Sequence, residues 1–315
     1  MPELPDISLY LDALRERIDG RRLERARVTS PFLLRSVEPR IDEAVGQRVV
    51  HLRRLGKRIA IGFENDVWLV IHLMIAGRFQ WRETWPDKTT KLVALVLGFD
   101  NGALLLTEAG TKKRASLYVV RGESGLAEHN PGGLEIADAS AREFLSALRS
   151  GNHTLKRALT DPRLLSGIGN AYSDEILHRA RLSPVMLTSR LTDEQGARLH
   201  RATLDVLAEW TERLKTQSAG EFPSKVTAFR PEMAVHGRYG LSCPVCGTKV
   251  QRIRYADNET NYCPRCQTEG KLLADRALSK LLKKDWPRTL EELEEARPTP
   301  SPAAAPRRGK RPPPA

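Results

Sequence analysis

The four cysteines of the chain, Cys243, Cys246, Cys263 and Cys266, form two knuckles, CPVC and CPRC, separated by sixteen residues. A disulfide framework would spread its cysteines and need an oxidising compartment. Two CxxC knuckles at this spacing fit a tetrahedral zinc site with four cysteine ligands. All four ligands are thiolates and none is left over, so the expected site is closed and structural, holding one Zn2+. KVQRIRY and ETNYC between the knuckles read as the strands of a zinc β-ribbon. Such a module at the end of a basic chain suits nucleic acid, with Lys249, Arg252 and Arg254 placed for phosphates or for a solvated face.

Charge points the same way. The chain of 315 residues carries 51 Lys and Arg against 39 Asp and Glu, a formal net charge of +12. A polyanionic partner is expected, either nucleic acid or an anionic membrane. No run of 18 apolar residues and no signal-peptide pattern is present, which leaves nucleic acid and a soluble, cytoplasmic, nucleoid-associated protein as the expectation.

The middle of the chain divides in two. From about residue 21 to 120, short apolar segments follow one another with turn punctuation at Glu64-Asn65-Asp66 and Asp100-Asn101-Gly102. Many short strands without long helices between them predict a β-sandwich or barrel. ISLYLDALRERIDG before them reads as an amphipathic helix ending at Gly20. After HNPGG come helical segments, AREFLSALRS, TLKRALTD, NAYSDEILHRARL and TDEQGARLHRATLDVLAEWTERLKTQ. Gly167-Ile168-Gly169-Asn170 sits between two of them. It reads equally as a tight helix–helix turn or as a phosphate site, with the free N–H groups of the next helix as donors and Asn170 as cap or donor. The segment RPTPSPAAAPRRGKRPPPA, with seven prolines, five basic residues and no acid, is expected to be a disordered tail.

PELPD at the start, GIGNxYxDEIL in the middle and a four-cysteine ribbon at the end stand in one order. Together they resemble the formamidopyrimidine-DNA glycosylase / endonuclease VIII family of base-excision repair enzymes, from Pro2 to about Gln267. The resemblance implies an α+β chain with an N-terminal β-sandwich domain, a C-terminal helix–two-turns–helix domain and a four-cysteine zinc β-ribbon finger. The expected boundaries are 1–130, 131–230 and 231–270, then a helical extension over 271–296 and the tail over 297–315. A monomer is expected, with double-stranded DNA carrying damaged bases or abasic sites bound in the cleft between the domains. Such enzymes flip the damaged base, remove it and cut the strand as AP lyases. Pro2 stands where the family has its nucleophile. Removal of Met1 would free a secondary amine, and α-amino groups have a pKa of about 8. Glu3 matches the catalytic acid, and Lys57 matches a hairpin lysine that enters the active site. His72, Lys156 and Asn170 match contacts to phosphates.

Departures from the family pattern bear on the lesion. Asn258 stands where an arginine of the finger hairpin clamps phosphates, and an amide lacks a charged bidentate grip. Arg252 or Arg254 is the expected compensation. Ile75, beside Met74, takes the place of a methionine that fills the hole left by the flipped base. Lys113 and Arg114 take the places of an arginine and a phenylalanine, so an aromatic wedge is missing. Asp6 replaces the more usual glutamate, which keeps the charge and shortens the reach. The stretch around SAGEFPSK is short where 8-oxoguanine-specific members close a loop over the base. Oxidised pyrimidines, further-oxidised guanines and bare abasic sites are equally plausible targets, by β- or β,δ-elimination. The alternative is a damage-recognising protein with the family fold and little glycosylase activity. A general zinc-ribbon factor is a third reading, in which the PELPD start has no purpose.

Overall fold

The computed structural model describes residues 1–224, 226–227, 229–255, 258–274 and 287–295. The expected tail over 297–315 and much of the expected extension over 271–296 lie outside them.

Helix α1 (Leu4–Ile18) opens the chain, with Pro5 near its start and Asp6 in its first turn. Eight strands follow: β1 (Arg25–Val28), β2 (Val49–Leu55), β3 (Arg58–Phe63), β4 (Val67–His72), β5 (Gly77–Arg82), β6 (Val93–Phe99), β7 (Gly102–Glu108) and β8 (Ser116–Arg121). They form two four-stranded antiparallel sheets, β1-β6-β7-β5 and β2-β3-β4-β8. The two predicted turns join β3 to β4 and β6 to β7.

The pleat sends alternate side chains to opposite faces. Val67, Leu69 and Ile71 of β4 enter the main core with Ile59, Ile61, Leu95, Leu97, Leu104 and Leu106. Trp68 and Val70 point the other way and meet Leu126 of α2 (Gly122–Ala127). Strand β4 is therefore buried on both faces and reads as an unbroken apolar run, VWLVI.

The second half is helical: α3 (Ala141–Arg149), α4 (Leu155–Thr160), α5 (Asn170–Arg179) and α6 (Asp193–Ser218). The turns over 161–169 between α4 and α5 make the helix–two-turns–helix unit, whose core gathers Leu155, Leu159, Ile168, Tyr172, Ile176 and Trp210. Leu9 of α1 belongs to this core while Ile7, Tyr10 and Leu14 belong to the sandwich core. Helix α1 therefore joins the two units. The cysteine module is a ribbon of β9 (Gln251–Tyr255) and β10 (Asn258–Tyr262) followed by α7 (Pro264–Thr268). A last helix, α8, covers Leu290–Glu295.

Candidate active site and nucleic-acid interface

The start of the chain is fixed by a contact across 166 residues. The Glu3 carboxylate is buried and accepts backbone N–H bonds from Gly169 at 2.7 Å, Ala171 at 2.8 Å and Tyr172 at 3.2 Å. These are the orphan donors of the α5 N-terminus, where the helix dipole also favours an anion. Gly169 is required here, because a Cβ at that position would lie 2.5 Å from the Glu3 carboxyl carbon. The reading of this helix end as an open phosphate site is thereby corrected. Its donors hold Glu3, and Gly169 rather than Asn170 is the cap residue.

Asp6 completes this corner. One oxygen accepts the Glu3 N–H at 2.9 Å and the other meets Arg230 at 3.0 Å. Burial pushes the Asp6 carboxyl up, opposed by the Glu3 N–H and by Arg230. Lys57 lies at the β2–β3 turn and donates its Nζ to the Ile168 carbonyl at 2.9 Å, one residue from the Gly169 N–H that holds Glu3. Burial lowers the Lys57 pKa, against the pull of Glu3. Pro2 is buried beside Glu3. Burial also lowers the pKa of the Met1 amine, which feels Glu3, Arg78, Asp6 and Lys57. Pro2, Glu3 and Lys57 are thus brought to one corner.

The Lys57 turn is itself anchored. Arg54 donates to the Gly56 carbonyl at 3.0 Å and to Ser166 Oγ at 3.1 Å, and it pairs with Glu135. Ser166 in turn donates to Glu135 at 2.6 Å. This network ties the sandwich hairpin to the turn that carries Ile168.

Of the expected phosphate contacts, His72 lies near Lys57, and Lys156 and Asn170 meet beside the N–H groups that hold Glu3. His72 ends β4 with Arg58 and Ser116 as ladder neighbours. Burial, with Arg58 and Lys57 nearby, pushes its imidazole down to about 4, so it is neutral at pH 7 and can offer a phosphate only an N–H. Lys156 forms an ion pair with Asp174 at 2.6 Å and donates to the Asn170 carbonyl at 2.6 Å. Asn170 donates its amide to the Glu259 carbonyl at 2.9 Å, linking α5 to the ribbon. Lys113 donates to the Glu108 carbonyl, and the Arg114 N–H meets the Glu108 carboxylate at 2.8 Å while its side chain is exposed. Ile75 is 57 % exposed on the β4–β5 turn. Asn258 lies opposite Tyr255 on the ribbon backbone, and its side chain is outside the described residues. Arg252 and Arg254, the expected compensation, converge on one oxygen of Glu259 at 3.2 and 3.1 Å.

Several residues escape sequence reasoning. Asp174 is fully buried and accepts from Lys156, from His236 Nδ1 at 2.8 Å and from the Asn261 N–H at 3.2 Å. Glu175 accepts three N–H bonds, from Ala234, Val235 and His236, which fixes the link from α6 to the finger. The one signal in the sequence is two adjacent acids ahead of an apolar pair near the start of a helix, AYSDEIL.

The four cysteine sulfurs lie within 4.8 Å of one another. Cys243 and Cys266 are 3.9 Å apart, and Cys246 and Cys263 are 3.4 Å apart. Zn–S bonds of about 2.3 Å in a tetrahedron place sulfurs about 3.8 Å apart, so the donor set fits a structural zinc. His178 Nε2 approaches Cys243 Sγ at 3.3 Å and orients that ligand.

Three family descriptions match this chain in order: the formamidopyrimidine-DNA glycosylase N-terminal domain over 1–111, the formamidopyrimidine-DNA glycosylase H2TH domain over 134–220, and the zinc finger found in FPG and IleRS over 240–268. The chain belongs to the formamidopyrimidine-DNA glycosylase family. The family enzyme named formamidopyrimidine-DNA glycosylase in Thermus thermophilus is 34% identical over 282 residues, 86% of this chain and 100% of that protein. An uncharacterized formamidopyrimidine-DNA glycosylase-like protein of Mycobacterium tuberculosis is 41% identical over 151 residues, 48% of this chain and 94% of that protein. The crystal structure of the Thermus thermophilus MutM (FPG) protein superposes with a TM-score of 0.72 at 32% identity, covering 84% of this chain and 98% of that one. Lactococcus lactis FPG in complex with an oxidized pyrimidine containing DNA superposes with a TM-score of 0.75 at 25% identity, covering 85% and 100%. The same family fold is thus present from the sandwich through the finger.

Proposed function

We infer that this protein is a bifunctional DNA glycosylase and AP lyase of base-excision repair, acting as a monomer in the cytoplasm on duplex DNA with damaged bases or abasic sites. The observation that carries this reading is the corner in which three α5 N–H groups hold Glu3 beside Pro2, with Lys57 on the neighbouring carbonyl.

While Met1 is attached, the Pro2 nitrogen is a tertiary amide with no lone pair to spare. Removal of Met1 makes it a secondary amine. The burial that lowers the Met1 amine pKa acts on that amine too and favours its neutral, nucleophilic form. The amine attacks C1′ and the base leaves with the glycosidic electron pair. Glu3 takes the proton that the attacking amine releases and delivers it to O4′ as the C1′–O4′ bond opens, leaving an iminium at C1′. A secondary amine gives an iminium with no N–H to lose, so the C2′ proton leaves instead and the 3′ phosphate is expelled. Hydrolysis of the iminium returns Pro2. Lys57, with its pKa lowered, shuttles protons and meets the neighbouring phosphate. A zinc ion on the four cysteines fixes the finger and takes no part in the chemistry.

The test is a duplex with an abasic site or oxidised base, treated with borohydride. A covalent adduct is expected, and it should disappear when an N-terminal extension keeps the Pro2 nitrogen in an amide. A second reading, a damage-binding protein with weak activity, is favoured by the internal pairing of Lys156, Arg252 and Arg254. Tight lesion binding with no adduct on any lesion would select it.

A further inference from the structure

Phe229 is 71 % exposed. It is nonetheless held in one pose. Its ring stacks on His236 with centroids 5.6 Å apart and an interplanar angle of 18°. Gly237 makes the pose possible, because a Cβ there would lie 2.9 Å from the Phe229 ring. The chain is fastened on both sides of Phe229. Before it, Arg78 bridges the Val226 carbonyl to the Ile75 carbonyl. After it, Arg230 pairs with Asp6, whose other oxygen takes the Glu3 N–H. The ring beneath, His236, is bonded to Asp174, which holds Lys156.

Phe229 therefore stands between a network that ends on Glu3 and one that ends on Lys156. On the glycosylase reading above, Glu3 serves the sugar of the flipped nucleotide and Lys156 lies toward its phosphate, so the base of that nucleotide must come to rest nearby. We propose that the exposed face of Phe229 is the stacking platform for the flipped base and that it makes the protein prefer planar lesions. Stacking of a base on an aromatic ring is sequence-tolerant because every planar base has a π-face. It weakens for a saturated, puckered pyrimidine, whose ring cannot lie flat on the phenyl. The aromatic residue missing from the loop of Lys113 and Arg114 is a different matter, since that position faces the orphaned partner base.

The test compares duplexes bearing 8-oxoguanine or 5-hydroxyuracil, thymine glycol, or a bare abasic site. Wild type, Phe229→Ala and Phe229→Trp are assayed by single-turnover cleavage. The same ratios are read as affinities with a protein whose N-terminal extension keeps the Pro2 nitrogen in an amide, which cannot attack C1′. Phe229→Ala is expected to lower the planar-lesion to abasic-site ratio by roughly 5- to 100-fold, with Phe229→Trp restoring it and thymine glycol moving least. Unchanged ratios in both assays would overturn the platform. So would an equal loss on planar lesions and abasic sites, which would mark Phe229 as structural. A wild type that cuts no abasic site would sink the glycosylase reading instead, and the affinity ratios would still decide the platform.

Discussion

The proposed catalytic corner and the proposed DNA-gripping residues are built on opposite terms. At the N-terminal corner, Glu3 is placed by three backbone N–H groups and Lys57 by a backbone carbonyl, so the chemistry is positioned by the main chain of one turn. On the side proposed to grip DNA, cations are already committed to carboxylates. Lys156 pairs with buried Asp174, and Arg252 and Arg254 share Glu259. On the proposed function, the first arrangement is ready for a substrate, and the second must exchange partners before it can hold a phosphate, an exchange that costs affinity.

The sharpest way to break this contrast is to remove the metal. Structural zinc sites contribute about 10–16 kcal/mol of binding free energy, which is folding free energy for such modules. Chelation, or Cys263→Ser, is expected to unfold the ribbon, releasing Glu259 and with it the tie to Asn170. DNA affinity should fall by roughly 100-fold or more by anisotropy, as the loss of several phosphate contacts implies, while the sandwich keeps its own unfolding transition by circular dichroism.

A narrower cut is Gly169→Ala. The new methyl would meet the Glu3 carboxyl carbon at 2.5 Å and push the acid off the α5 N-terminus. A misplacement of about 1 Å costs roughly 100-fold in rate. Cleavage should drop by about that factor with DNA affinity nearly unchanged, as single-turnover rates against anisotropy would show.

His72 gives a smaller, pH-dependent effect. Its folded pKa is depressed to about 4 from an ordinary 6.5, so the folded state binds fewer protons than the unfolded one between those values. Stability contributed by the neutral ring is present above about pH 6.5 and is lost as pH falls toward about 4. Urea unfolding of His72→Gln should show a shallower loss over that window than wild type, and DNA affinity should not change between about pH 7 and 8.

The smallest effect is an increase. Glu259→Gln releases Arg252 and Arg254 from their shared carboxylate. Affinity for duplex DNA should rise a few-fold, and the slope of log affinity against log salt should steepen by up to about one for each additional phosphate neutralised. No change in the slope would mean that the ribbon arginines face away from the duplex.

Sequence patterns reached those features whose cause is local. The turns at Glu64-Asn65-Asp66 and Asp100-Asn101-Gly102, the long apolar-striped α6 and the two cysteine knuckles each announce themselves within a few residues. What stayed hidden is long-range pairing. Nothing near Glu3 says that its partners lie 166 positions on, and Arg230 meets Asp6 across 224 positions. The shortened Asp6 reads in the sequence as a lost reach, whereas in the fold an arginine comes to meet it. The resemblance to the family named Lys156 and Asn170 but could not show that Asp174 and Glu259 already engage them.

The proposed mechanism rests on the N-terminal amine being the nucleophile, and peptide mapping of the borohydride-trapped complex tests that most directly. The protein is trapped on an abasic-site duplex, digested with nuclease and protease, and the modified peptide is read by mass spectrometry. The mechanism predicts the sugar remnant on a peptide that begins at Pro2 and lacks Met1. An adduct on Lys57, or on a chain that still carries Met1, would contradict it.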